Sequence, residues 1–290
     1  MADNHIWTIK DLLSWTTGYF KRQGIESPRL DAELLLSNVL KKNRIYLYTE
    51  FERILDAAEL SSYKECIKKR VDGFSAASII GQKEFMGITL AVDENVLIPR
   101  PDTETWLEKV IQYHRSDQGI RVADLGTGSG AILVGFLHYC KDASGVGVDI
   151  SKEALAIAEK NGMALHVENR VEWREGDYLE ALGKEEVFDG ILSNPPYIPH
   201  KDINNLDAEV KNEPILALDG GEDGLDFYKL LAAGAAMHLK SGGFLAIEVG
   251  IGQALIVAAL LKKTNQYENF EIIKDYGGID RAIYCRKKSA

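Results

Sequence analysis

The pattern of apolar and polar residues changes once along the chain, near residue 80. Before that point apolar residues recur at helical spacing, without strand-like alternation. The two clearest stripes are Ile9, Leu12, Leu13 and Trp15, then Leu30, Leu34, Leu35 and Val39. Thr8 followed by Asp11 predicts a cap for the first helix, and Pro28 predicts the start of the second. With a further helical pattern over 57–71, these features predict a helical bundle over residues 1–75.

Beyond residue 80 short apolar runs alternate with helical patterns. Residues 84–92 form two short runs around Gly87, which predicts a β-hairpin connector within 76–98. Seven predicted strands follow at 121–125, 146–149, 171–174, 190–193, 244–249, 270–274 and 282–285. Strands that alternate with helices predict a mostly parallel, Rossmann-like α/β sheet over 99–290, covered on both faces. The short interval before the last strand predicts an antiparallel hairpin at the sheet edge.

A glycine-rich loop follows the first of these strands. Asp124 precedes Gly126, Gly128 and Gly130, and Ala131 opens an apolar helix. Glycines at these positions allow a ligand to approach the backbone closely. The next predicted strand ends in Asp149, roughly twenty residues further on, where a carboxylate can accept hydrogen bonds from ribose hydroxyls. Because the spacing also fits a dinucleotide fingerprint, a nicotinamide-dependent dehydrogenase stays open at this point.

The acidic residues around the loop favour S-adenosylmethionine. Asp124 is placed to receive the methionine ammonium or to order the loop, whereas a carboxylate has no use beside a pyrophosphate. After the third strand, Asp177 is a candidate acceptor for the adenine amino group, and Tyr178 a candidate stacking partner. A plain turn residue is the alternative for Asp177. The polar loop residues Thr127 and Ser129 complete the predicted cofactor set.

The tetrapeptide Asn194-Pro195-Pro196-Tyr197 directly follows the apolar run 188–193. The Asn194 side-chain oxygen and the Pro195 backbone carbonyl are each able to accept one N–H hydrogen of a planar NH2 group. The nitrogen lone pair then faces an electrophile, which suits alkylation of an amide or an aromatic amine. The alternative is a strand ended by prolines, since X-Pro bonds favour extended or turn conformations.

Together these motifs closely resemble the peptide chain release factor N5-glutamine methyltransferases (the HemK/PrmC family) over nearly the whole chain. The segments that carry the resemblance are 27–36, 81–87, 97–104, 124–130, 149–155, 193–198, 213–218, 220–226 and 247–253. The chain departs from the family at 75–80, where a proline and a tyrosine are usual. This departure affects the packing of the interdomain segment and leaves the chemistry unchanged.

The resemblance implies a class I S-adenosylmethionine-dependent methyltransferase that releases S-adenosylhomocysteine. The implied substrate is the side-chain amide N5 of the glutamine in the Gly-Gly-Gln motif of class I release factors. Asn194, Pro195 and Tyr197 are the implied catalytic residues, with Asn194 also near the cofactor. The implied substrate-binding set is Asn194, Pro195, Pro196, Tyr197, Phe85, Arg100 and Glu213. Arg100 has the alternative of pinning the two domains together.

The charge distribution and the intact tetrapeptide disfavour two alternative functions. Net charge is −10, and residues 76–290 carry 22 basic and 33 acidic residues against 12 and 11 in residues 1–75. An acidic catalytic half disfavours a nucleobase methyltransferase, because phosphate neutralisation needs a basic surface. An inactive cofactor-binding regulator is disfavoured by the intact tetrapeptide.

The distribution of cysteine, histidine and apolar residues sets the remaining expectations. Three dispersed cysteines and isolated histidines predict neither disulfides nor a metal site. The start of the chain lacks signal-peptide features, and no apolar run reaches membrane-spanning length. A cytoplasmic monomer without membrane or direct nucleic-acid partners is therefore expected.

Overall fold

The computed structural model describes residues 6–289. Residues 1–5, on which the expectation about a signal peptide partly rests, lie outside the described residues. Internal contacts divide the chain into two compact units. The helical unit contains the residues up to Gly81 together with Asp207–Asn212, and the sheet unit contains Gln82–Leu206 and the residues from Glu213 onward.

Within the described residues, the helical unit contains five consecutive helices and one that comes much later in the chain. They are α1 (Ile9–Arg22), α2 (Pro28–Leu40), α3 (Arg44–Thr49), α4 (Ala57–Val71), α5 (Ala76–Ile80) and α9 (Ala208–Lys211). The two predicted helix starts are confirmed, since the Thr8 side chain accepts the Asp11 N–H at 3.2 Å and Pro28 occupies the first turn of α2.

Two details of the predicted helical bundle are wrong. Trp15 and Leu30 are 47% and 40% exposed, so neither belongs to the buried stripe of its helix. Trp15 stacks on the partly buried Tyr19 at 5.2 Å, because their spacing along α1 places the two rings one turn apart. The boundary also lies later than residue 75, because Ile79 and Ile80 of α5 pack on the helical core.

The late segment Asp207–Asn212 completes the polar interior of the helical unit. Arg70 of α4 is only 4% exposed, and its guanidinium bonds Asp31 Oδ2 at 2.7 Å. That bond comes from Nε, whereas Nη2 donates to Glu209. Asn212 Nδ2 donates to the Asp72 carbonyl at 3.0 Å. A buried guanidinium with several donors is thus satisfied by two carboxylates from distant parts of the sequence.

The sheet unit opens with the predicted hairpin, β1 (Gln82–Phe85) and β2 (Ile88–Ala91). Its two-residue turn, Met86-Gly87, has positive φ at both positions, 50° and 75°, as a tight antiparallel turn requires. Asn161 fixes the end of β2: its side chain accepts the Ala91 N–H at 2.7 Å and donates to the Ala91 carbonyl at 2.9 Å.

A seven-stranded sheet forms the centre of the unit, which confirms the predicted α/β class. Its strands are β3 (Arg121–Leu125), β4 (Ser144–Asp149), β5 (Val171–Glu175), β6 (Phe188–Ser193), β7 (Leu239–Glu248), β8 (Tyr267–Lys274) and β9 (Asp280–Lys287). Their spatial order is β5-β4-β3-β6-β7-β9-β8. Neighbours from β5 to β7 are parallel, and β9 pairs antiparallel with both β7 and β8.

Helices cover both faces of this sheet. They are α6 (Pro101–His114), α7 (Ala131–Tyr139), α8 (Lys152–Ala164), α10 (Asp226–Gly234) and α11 (Ala254–Lys263). Adjacent residues of β3, Val122 and Ala123, belong to separate core clusters, as alternating side chains on opposite sheet faces must. Strand order reverses between β3 and β6, and crevices at the carboxyl ends of such strands are where α/β sheets bind ligands.

Candidate functional site

The glycine loop after β3 is held against the end of β4. The Gly126 and Thr127 N–H groups both donate to the Val148 carbonyl at 2.9 Å. Gly126 has φ of +72°, and a Cβ there would lie 2.9 Å from the Tyr178 hydroxyl. Only glycine fits this conformation and this close approach without strain.

Asp124 lies beneath the loop with one oxygen unused. Its Oδ2 accepts the Thr127 hydroxyl at 2.6 Å. Its Oδ1 is buried and has no hydrogen-bond partner among the described residues. Burial raises the pKa of this fully buried carboxyl to about 7. A buried acceptor without a donor is rare in folded proteins and fits a ligand that brings a charged N–H group.

Asp149 ends β4 beside the loop. Its Oδ2 accepts the Gly128 N–H at 2.8 Å, and its Oδ1 accepts the Ser151 N–H at 2.9 Å. Burial raises the pKa of this carboxyl above its ordinary value, although the two N–H bonds oppose the shift. The neighbouring Ile150 is 56% exposed and offers apolar surface next to the carboxylate.

A cleft at the carboxyl ends of the strands brings six of the predicted residues together. Gly126, Gly128, Asp149 and Tyr178 form one part of its wall, and Asn194 with Pro196 forms another. Its rim comes from 94–97, which follow the hairpin, and from Pro214, Leu216 and Ala217. Sequence reasoning did not assign either rim segment to the site.

The other predicted cofactor residues lie around this wall and do not form it. Gly130 caps the start of α7, where a Cβ would lie 3.1 Å from the Ala158 Cβ, and the Ser129 carbonyl accepts a hydrogen bond from Asn161 Nδ2 at 2.9 Å. These residues shape the loop. Asp177 is exposed, whereas Tyr178 adopts φ of 42° and its ring lies 4.7 Å from the Phe227 ring.

Asn194 is the first residue after β6, and its side chain reaches the first turn of α6. Its Nδ2 lies 3.5 Å from the Thr103 hydroxyl oxygen. Pro195 and Pro196 are buried. Within residues 6–289 no hydrogen bond involves the Pro195 carbonyl. The Asn194 side-chain oxygen and this carbonyl are thus two acceptors available to an incoming NH2 group.

The glycine-rich segment 220–224 supports the tetrapeptide from behind. The Gly220 N–H donates to the Ile198 carbonyl at 2.9 Å, and a Cβ on Gly220 would lie 2.8 Å from the Tyr197 Cα. Gln253 Nε2 donates to the carbonyls of Tyr197 and Gly224, at 3.0 and 3.2 Å. The tetrapeptide backbone is therefore fixed by a second loop and by the start of α11.

The remaining predicted substrate residues have different surroundings. Arg100 Nη2 bonds both oxygens of Glu213, at 2.8 and 2.7 Å, and both residues belong to the sheet unit. This geometry replaces the alternative that Arg100 pins two domains together. Tyr197 is partly buried, and burial raises the pKa of its hydroxyl to about 12. Phe85 is fully buried in the core, so its ring offers no surface to a substrate.

Sequence reasoning missed two buried polar residues behind Asn194. The Thr103 hydroxyl donates to Glu248 Oε2 at 2.6 Å, and the Trp106 indole N–H donates to the same oxygen at 2.8 Å. Glu248 is the last residue of β7 and only 2% exposed. The position of Glu248 at the end of an apolar strand could have indicated this polar cluster, because glutamate is seldom fully buried unless it has partners.

The described part of the chain contains neither a cluster of metal ligands nor a membrane-spanning helix. Residues 6–289 contain no group of three or more His, Cys, Asp or Glu side chains able to hold a metal ion. No helix in this range is long and apolar enough to cross a bilayer. Cys140 and Cys285 are buried thiols, and burial raises their pKa values to about 11 and about 12.

Comparisons with known proteins cover both units. Residues 11–81 match the PrmC N-terminal domain, and residues 107–210 match the methyltransferase small domain. The release factor glutamine methyltransferase of Geobacter sulfurreducens is 41% identical over 279 residues, covering 96% of each chain. That of Moorella thermoacetica is 37% identical over 281 residues, covering 97% of this chain and 99% of the relative. A methyltransferase structure from Pyrococcus furiosus shares the fold at 18% identity, with TM-score 0.52, covering 70% of this chain and 90% of that one.

Proposed function

The chain belongs to the release factor glutamine methyltransferase family, and from that premise we propose that it methylates the side-chain amide N5 of the glutamine in the Gly-Gly-Gln motif of class I release factors. The methyl donor is S-adenosylmethionine. The observation that carries the proposal is one cleft in which Asp149 and the glycine loop lie on one wall and Asn194 with Pro196 on another. Such a cleft accommodates a donor and an amide side by side.

The residues of the cleft, together with Asp124 beneath the glycine loop, suit this cofactor in charge and shape. When bound, S-adenosylmethionine supplies an activated methyl group. Asp124 Oδ1, buried and without a partner among the described residues, would hold the ammonium group. Asp149 would accept the ribose hydroxyls, and Ile150 with Tyr178 would provide apolar walls for the adenine. Asp177 lies in an exposed position beside Tyr178. Its role as acceptor for the adenine amino group stays a prediction.

Asn194 and Pro195 perform the chemistry by orienting the substrate amide. An amide nitrogen is a poor nucleophile because its lone pair is delocalised into the carbonyl. Two acceptors, the Asn194 side-chain oxygen and the Pro195 carbonyl, hold the two N–H hydrogens and favour the positive charge that develops on nitrogen. Holding the reacting groups in line contributes up to about 7–11 kcal/mol. The methylated, protonated amide is acidic and needs no strong base to lose its proton.

Substrate selection follows from the remaining features. Tyr197 would pack on the glutamine stem, and the Arg100–Glu213 pair would border the substrate. We assign the helical unit to recognition of the release factor, because it contains no cofactor or amide-binding motif. The acidic sheet unit suits a basic protein surface better than a nucleic acid. We place the enzyme in the cytoplasm, as a monomer.

Isotope transfer tests the proposal directly. The full chain is incubated with methyl-labelled S-adenosylmethionine and either a class I release factor or duplex DNA, and the label is located by mass spectrometry. We expect label on the glutamine of Gly-Gly-Gln and none on DNA. Label on another residue, or on a base, would contradict the proposed substrate. A release factor with Gln→Ala in that motif is the matched control and should remain unlabelled.

A further inference from the structure

The side chain of Asn194 has two orientations of similar shape, and only one of them suits catalysis. With Oδ1 toward the substrate, the carboxamide accepts an N–H hydrogen. Reversed by 180°, it presents its own NH2 group to the substrate NH2 group, and two sets of donors face each other. Some feature of the protein must select the productive orientation, because neither proline of the tetrapeptide has an N–H group with which to do so.

Thr103 has the hydrogen-bonding state needed for that selection. Its hydroxyl hydrogen is engaged by Glu248 Oε2 at 2.6 Å, so the Thr103 oxygen has only lone pairs left for Asn194. An oxygen in this state accepts from Nδ2 and repels Oδ1. The contact with Nδ2 is 3.5 Å long, which is longer than a typical hydrogen bond. Contacts of this kind commonly shorten when substrate binds.

Glu248 in turn is fixed as an acceptor at the same oxygen. The Trp106 indole N–H, which is only a donor, bonds Oε2 at 2.8 Å. Glu248, Thr103 and Trp106 are all buried, at 2%, 4% and 0% exposure, so water does not compete for these bonds. Ser193 pairs with Ile247 across β6 and β7, which places Asn194 and Glu248 at the adjoining ends of two strands.

We propose that Thr103, polarised by Glu248, is a positioning residue that turns the Asn194 carboxamide so that Oδ1 faces the substrate amide. Neither Thr103 nor Glu248 lines the cleft, so both act through Asn194 and not on the reacting atoms. The inference rests on the proposed function, because Thr103 would orient the Asn194 oxygen that accepts a hydrogen bond from the substrate amide. In this arrangement the first turn of α6 and the end of β7 supply the residues that orient Asn194.

Thr103→Val tests the inference, because it keeps the shape and removes the hydroxyl. We expect kcat for release factor methylation to fall roughly 3- to 10-fold, the size of one neutral hydrogen bond, with the dissociation constant for S-adenosylmethionine unchanged. Thr103→Ser should restore the wild-type kcat. Thr105→Val is the matched control: that hydroxyl lies on the same helix but donates to the Asp102 carbonyl at 2.6 Å.

The same Thr103→Val change in an Asn194→Asp variant separates an effect on side-chain orientation from a general loss of structure. In Asn194→Asp the two side-chain oxygens are equivalent, so no reversed orientation exists, and adding Thr103→Val should change kcat less than twofold. An equal loss in both backgrounds would overturn the inference, as would a Thr103→Val kcat within twofold of wild type. If Thr103→Val does not fold, Thr103→Ser decides: a kcat as low as that of Thr103→Ala would overturn it. Failure of wild type to label glutamine would instead refute the proposed function.

Discussion

Asp124→Asn separates the cost of a buried carboxylate from its use in binding. The folded chain holds the pKa of Asp124 at about 7 against an ordinary value of 3.8, a difference equivalent to roughly 4 kcal/mol. Between these pH values the ligand-free folded state binds more protons than the unfolded state. Its stability therefore falls as pH rises through this window and levels off above about pH 7.

The asparagine variant lacks this titration. Subtracting the wild-type unfolding free energy from that of Asp124→Asn should give a difference that increases by up to roughly 4 kcal/mol between about pH 4 and pH 8. Other groups titrate in both proteins and cancel to first order, and any fixed cost of the buried amide shifts the whole curve without altering its slope. Urea unfolding of the ligand-free proteins at several pH values measures this difference.

Cofactor affinity should change with pH in the opposite sense. A cationic ammonium favours ionised Asp124, so wild-type affinity should strengthen as pH rises toward 7, by at most about tenfold per unit. At pH 8 we expect Asp124→Asn to bind S-adenosylmethionine about 10- to 100-fold more weakly, as loss of a bond to a charged group implies. Calorimetry measures both effects. Parallel stability curves together with equal affinities would refute the desolvated-carboxylate reasoning.

Three further outcomes are expected. Asp149→Ala should weaken S-adenosylmethionine binding by about 10- to 100-fold in calorimetry, and an unchanged dissociation constant would remove Asp149 from the ribose site. Asn194→Ala should lower single-turnover methyl transfer by roughly 10²–10³ while cofactor binding stays nearly intact, with Asn194→Asp retaining more activity; wild-type rates in both would reduce Asn194 to a strand terminator. A chain that begins at Gln82 should still bind cofactor but methylate an intact release factor more slowly, and an undiminished rate would deny the helical unit its recognition role.

The sequence predicted the features that depend on local periodicity and turn chemistry. The alternation of strands and helices, the hairpin at Gly87 and the cap at Thr8 follow from patterns within a few residues. The glycine loop and Asp149 converge as expected, since the carboxyl ends of parallel strands meet at one edge of the sheet.

What could not be predicted depends on residues far apart in sequence. Thr103 and Glu248 are separated by 145 positions, and their hydrogen bond exists only because α6 packs near the end of β7. Phe85 was wrongly predicted to contact the substrate. The residues around it in sequence do not show whether an aromatic ring faces a cleft or lies in the core. The late boundary at Gly81 follows from contacts of Ile79 and Ile80 with the helical core, which are made across the sequence and are not visible in the local pattern.

The segment Asp207–Asn212 makes the order of synthesis matter for the helical unit. Arg70 lies 139 positions before Glu209, so at roughly 5–20 residues per second its second carboxylate emerges from the ribosome about 7–30 s later. During that interval the nascent bundle holds a guanidinium with only Asp31 as its charged partner. The amino-terminal unit, although translated first, reaches its final form only after β3 to β6 of the sheet have been made. In ribosome-bound chains stalled before residue 207, the helical bundle should therefore be incomplete. It should be more sensitive to protease than the bundle in chains stalled well beyond Asn212.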